Sequence, residues 1–117
     1  MSDFSRNPIK KMEIHLTQFL GRVRRKLGEN TSIAILSVII AIPTHRMIPM
    51  TQLKKLVDIK PSTLSRTLAV LAKHKTRTGR KFDEPLIQII EDIDDRRHKY
   101  IELTQYGRLI KDEIIQA

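Results

Sequence analysis

Two short amphipathic stretches joined by a tight link constrain this chain more than any other feature. Residues 51–58 carry Leu53, Leu56 and Val57 at helical spacing, pointing inward, and residues 61–74 carry Leu64, Leu68 and Leu71. Only Ile59 and Lys60 separate them. Pro61 suits the first turn of a helix, where its missing N–H costs nothing and its fixed φ is already helical. Two apolar faces held this close have the outline of a helix-turn-helix. On the second helix, the residues offset from the leucine stripe face outward: Ser62, Thr63, Ser65, Arg66 and, further round, Ala69.

The flanking sequence supplies the remaining elements. Residues 8–27 read as a helix that Asn7 caps, Pro8 opens and Gly28 ends. Its apolar stripe, Ile9, Met12, Leu16, Phe19, Leu20, Val23 and Leu27, packs either on its own domain or against a second subunit. Residues 31–42 have a Thr/Ser start, an almost wholly apolar body and a stop at Pro43, which favours a buried helix over a strand. Two strand-like runs, 86–91 and 99–103, flank the charged segment 92–98, and Tyr100/Glu102 alternate with Ile101/Leu103. Thr104 caps a last helix bearing Tyr106, Leu109, Ile110 and Ile114. The order is four helices, a hairpin and a helix. It predicts one mainly α domain with a small β-hairpin (α+β) over residues 1–117: an N-terminal helix 8–28, a helix-turn-helix 51–74, a wing 86–103 and a C-terminal helix 104–116.

Charge narrows the partner. Among 117 residues, 22 Lys and Arg face 13 Asp and Glu, a net charge of +9. Such a surplus attracts polyanions, nucleic acid first, through counterion release. Aromatic residues make up only 4% of the chain, too few for the base-stacking platforms of single-strand binders. Duplex contact needs cations and small polar side chains instead. With no cysteine, the chain has no thiol chemistry and no Cys-ligated metal. The four histidines show no ligand spacing, and no nucleophile motif or phosphate-cradling glycine loop occurs, so the sequence points to no cofactor, no metal and no enzyme activity. The polar N-terminus has no secretory signal and the most apolar run is too short to span a membrane. The expected setting is cytoplasmic and nucleoid-associated.

The segments 56–71 and 95–107 together resemble the MarR (multiple-antibiotic-resistance regulator) winged-helix family. The residues that carry the resemblance are Ser62, Thr63, Leu64, Ser65 and Arg66, then Asp95 and Arg97, then Leu103, Thr104 and Gly107. A basic loop after the second helix makes the entry to the wing longer than the family's usual one, and the family carries more helix after the wing. The resemblance implies a sequence-specific duplex-DNA-binding transcriptional regulator, a homodimer with its recognition helix in the major groove and its wing in the minor groove. The alternative is a plasmid or phage replication, partition or nucleoid-architecture protein built on the same fold. On this reading Ser62, Thr63, Ser65 and Arg66 read the major groove, where Arg recognises guanine and hydroxyls reach bases or phosphates. Asp95 holds Arg97 extended for the minor groove and Arg96 takes a phosphate. Lys75, Arg77, Arg80 and Lys81, with Lys73, either grip phosphates or stay solvated. Arg22, Arg24, Arg25 and Lys26 either meet a partner or serve only the helix dipole. A small-molecule effector is a habit of the family, and no residue here demonstrates a pocket for one.

Overall fold

The computed structural model describes residues 7–72, 84–95 and 97–116. Five helices and a small sheet follow in the order α1 (Pro8–Leu27), α2 (Ile33–Ala41), β1 (Ile48–Pro49), α3 (Met50–Val57), α4 (Pro61–Ala72), β2 (Ile87–Glu91), β3 (Lys99–Leu103) and α5 (Gln105–Ile115). The described backbone forms two compact units, one within residues 32–111 and the other made of residues 7–31 with 112–116.

The larger unit contains the helix-turn-helix and the wing. Apolar α2 forms its centre, with Val38, Ile39 and Ile42 fully buried and the helix packed against both α3 and α4. Burying each such side chain contributes about 1.5–3 kcal/mol. Ser32 caps α2 by accepting from the Ile35 N–H at 3.1 Å. The other end is closed from a distance. Lys111 of α5 is only 8% exposed, and its Nζ donates to Ile40 O at 3.0 Å and to Ile42 O. An ammonium there meets carbonyls that the helix itself leaves unpaired and the negative end of the helix dipole.

The link between α3 and α4 depends on Asp58, whose φ of 48° is left-handed. Aspartate is among the few residues other than glycine that visit this region readily. Lys60 O then accepts the first bond of α4 from Leu64 N at 2.8 Å, with Pro61 in the first turn. Leu53, Leu64, Leu68 and Leu71 are buried as their spacing predicts. Leu56 is not: it is 58% exposed, and Val57 is half-buried. Leu53 and Val57 lie one turn apart on the inner face of α3, and Leu56 falls off it.

The sheet has three antiparallel strands in the order β1-β3-β2. The hairpin register pairs Ile87 with Leu103 and Ile89 with Ile101. The two-residue β1, absent from the sequence reading, pairs Ile48 with Ile101 and Pro49 with Tyr100. The wing root is locked at Thr104. Its Oγ1 accepts from Gly107 N at 3.0 Å, capping α5, and donates to Pro85 O at 2.6 Å. Gly107 allows α5 to start there, since a Cβ would lie 2.0 Å from Leu86 O.

In the smaller unit, Asn7 Oδ1 caps α1 by accepting from Ile9 N and Lys10 N. Arg22 Nε donates to Ile114 O at 2.9 Å, and Lys26 pairs with Glu113 at 3.0 Å, joining α1 to the last turn of α5. Val23 and Leu27 are buried, whereas Ile9, Met12, Leu16 and Leu20 remain 48–70% exposed. No helix among the described residues is long and apolar enough to cross a membrane.

Candidate nucleic-acid interface

Burying Leu64, Leu68 and Leu71 determines what α4 presents on its other side. Ser62, Ser65, Arg66 and Ala69 are exposed, and Thr63 is half-buried. Thr67, buried between these faces, donates its hydroxyl to Thr63 O at 2.8 Å. A buried hydroxyl without such a partner would carry a desolvation penalty.

Beyond α4 the hairpin ends in a turn built from its own acidic residues. Asp92 N donates to His98 O and His98 N to Asp95 O, each at 2.9 Å. The Asp92 carboxylate accepts from Asp94 N at 2.9 Å. Asp95 accepts three bonds from Arg97: the backbone N at 3.0 Å, Nε at 3.1 Å and Nη2 at 3.2 Å. His98 Nε2 lies 3.3 Å from the second oxygen of Asp95. The Arg97 bonds, side chain first, hold the Asp95 carboxyl below its usual range. Arg97 is nevertheless 89% exposed, so the carboxylate directs the guanidinium without covering it. The negative charge of the tip has a local use: Asp92 and Asp95 shape the turn, which leaves Asp94 as the outward acid.

Helix α4 and the wing form one concave surface. A groove of 680 Å³ is lined by Thr51 and Lys54 of α3, Pro61, Ser65 and Ala69 of α4, and Arg97, His98 and Lys99 of the wing. Ser65 and Arg97, far apart in sequence, therefore share one groove. Ser62 and Arg66 lie on the exposed face of α4 outside its lining, and Thr63 is partly withdrawn. Lys75, Arg77, Arg80, Lys81 and Arg96 lie outside the described residues, as do Lys73 and His74. Lys54, His98 and Lys99 were missed by the sequence reading. Lys54 could have been found, since it sits next to Leu53 on a helix whose inner side Leu53 defines. His98 and Lys99 follow Arg97 directly, and only the fold of the turn shows that they share its groove.

No protein-family model matches the chain, and no curated protein matches it. Solved structures do. A crystal structure of MarR superimposes over 89% of this chain and 70% of its own, with a TM-score of 0.57 and 24% identity. NadR in complex with 4-hydroxyphenylacetate superimposes over 91% of this chain and 66% of its own, with a TM-score of 0.64 and 19% identity. RV1404 from Mycobacterium tuberculosis covers 91% of this chain and 65% of its own, with a TM-score of 0.69 and 18% identity. This chain thus spans about two thirds of the length of these proteins. The fold is the MarR-type winged helix, as the motifs at Ser62–Arg66, Asp95–Arg97 and Leu103–Gly107 imply.

Proposed function

We propose that this chain is a sequence-specific duplex-DNA-binding transcriptional regulator that acts as a homodimer. Helix α4 enters the major groove, with Arg66 and Ser62 at base edges or phosphates and Ser65 beside them. The wing follows the backbone into the flanking minor groove, where Arg97 lies in the narrow, electronegative channel. Lys54, Lys99 and the basic residues Lys75, Arg77, Arg80, Lys81 and Arg96 supply phosphate contacts, which give affinity and register. The exposed stripe Ile9, Met12, Leu16 and Leu20 on α1 is the dimer contact. Two half-sites about one helical turn apart then follow from the two-fold symmetry.

The observation that carries the reading is the single concave surface shared by the outer face of α4 and the wing, with Arg97 held in place by Asp95. A preorganised cation loses less freedom on binding than a flexible one. The net charge of +9 supplies the attraction that brings a polyanion there.

The deciding experiment is selection of duplex DNA from a random library at near-physiological salt, read by sequencing. A motif with two symmetric half-sites is the expected result. Strong retention without any motif would replace regulation by charge-driven architectural binding. No retention at low salt would overturn the DNA reading altogether.

A further inference from the structure

The cations that end α1 suit the helix dipole, but two of them are arranged in a way the dipole does not require. Arg22 is half-buried, and its bond from Nε to Ile114 O fixes the guanidinium against the last turn of α5. Both of its η-nitrogens stay without a partner among the described residues. The Arg25 guanidinium lies back over Gly21, where a Cβ would stand 3.5 Å from Arg25 Nη1. Glycine inside a helix is destabilising, and here its missing side chain opens a notch. Thr17, Gln18 and Gln116 complete a mostly polar hollow of 530 Å³ around the two arginines.

Among the described residues, the carboxylates of this unit lie elsewhere, Asp112 included. Glu113 is taken by Lys26, Glu29 is paired with Arg24 at 3.7 Å, and Glu13 lines an adjoining hollow. None of them lines this one. The Arg25 side chain and the carboxamides of Gln18 and Gln116 form no hydrogen bond or ion pair among the described residues. Donors converge on the hollow, and no carboxylate side chain among the described residues lines it.

We infer that this hollow binds a small oxyanion, a carboxylate or a phosphate, held by Arg22 and Arg25 and flanked by Gln18 and Gln116. A guanidinium offers paired N–H donors at the spacing of two oxygens on one carboxylate or phosphate. The anchor on Ile114 O keeps Arg22 in place before the ligand arrives. A bound anion ties α1 more firmly to the end of α5. The site lies on other residues than the groove beside α4 and does not depend on DNA binding.

The test titrates the full chain with inorganic phosphate and, separately, with succinate at constant ionic strength, following the arginine Nε resonances by NMR. The expected result is a saturable shift at Arg22 and Arg25 with either probe, and the tighter of the two identifies the ligand chemistry. Arg25→Ala removes a side chain that makes no hydrogen bond, so the fold is undisturbed, and it should weaken binding at least tenfold. Lys11→Ala, on the same helix outside the hollow, should leave the midpoint unchanged. A shift that never saturates with either probe, or an Arg25→Ala midpoint equal to that of the unaltered chain, would overturn the site.

Discussion

Arg97 and Gly107 show how single residues carry this structure. Asp95 stays ionised because Arg97 bonds to its charged form, so its carboxyl titrates below the usual aspartate range. Because the folded pKa lies below the unfolded one, the pair's contribution is fully present above the unfolded value. It is lost as pH falls through the depressed folded value. Carboxyl NMR should therefore show Asp95 titrating below the ordinary aspartate range, and Arg97→Ala should raise it towards that range. The same substitution should cost about 1–3 kcal/mol of DNA affinity, measured by fluorescence anisotropy on the selected site. An unchanged affinity would remove Arg97 from the interface. Gly107 is a matter of space rather than charge. A methyl placed 2.0 Å from Leu86 O must displace backbone. Gly107→Ala should accordingly destabilise the fold by about 1–3 kcal/mol in urea unfolding, although alanine is the better helix former.

At the level of elements, what could be read from the sequence depended on how local the cause was. Helix α1, the start of α2, Pro61 and the Thr104 cap announce themselves through residues adjacent to the effect. The outward face of α4 follows from its buried leucines by subtraction. β1 does not, because a two-residue strand exists only through its pairing with Ile101 and Tyr100 some fifty residues later. Lys111 escapes for the same reason: its partners are carbonyls at the far end of another helix, and no pattern around residue 111 marks them. In α3, Leu56 and Val57 both fit a step from Leu53, and the spacing alone could not choose between them. Two substitutions on this helix separate the faces. Leu53→Ala should cost about 2–5 kcal/mol, while Leu56→Gln should stay within roughly 0.5 kcal/mol of the unaltered chain. Equal costs by chemical denaturation would contradict the burial described. For the candidate site, motif and period name Ser62, Ser65, Arg66, Asp95 and Arg97, of which only Ser65 and Arg97 line the groove, and that groove is a property of the tertiary fold.

For the whole molecule, the exposed stripe on α1 and the cationic surface belong to one argument. Ile9, Met12, Leu16 and Leu20 recur at steps of three and four along one side of a helix, and all four remain exposed in the single chain. Isolated apolar residues on a surface need no explanation, but a continuous helical stripe is the seam that a second helix covers. A dimer formed there would bring two wings and two α4 helices to one duplex and join their binding energies, so that the second half-site is engaged at high effective concentration. Leu16→Glu with Leu20→Glu places like charges on both sides of that seam. The doubly substituted protein should sediment as a monomer and bind the full site at least a hundredfold more weakly, on the order of the gain that linking two sites provides. Its affinity for an isolated half-site should stay unchanged, because α4 and the wing are untouched. A monomer that binds the full site as tightly as the unaltered chain would show that each copy reads DNA alone. A protein that remains dimeric would move the interface away from α1.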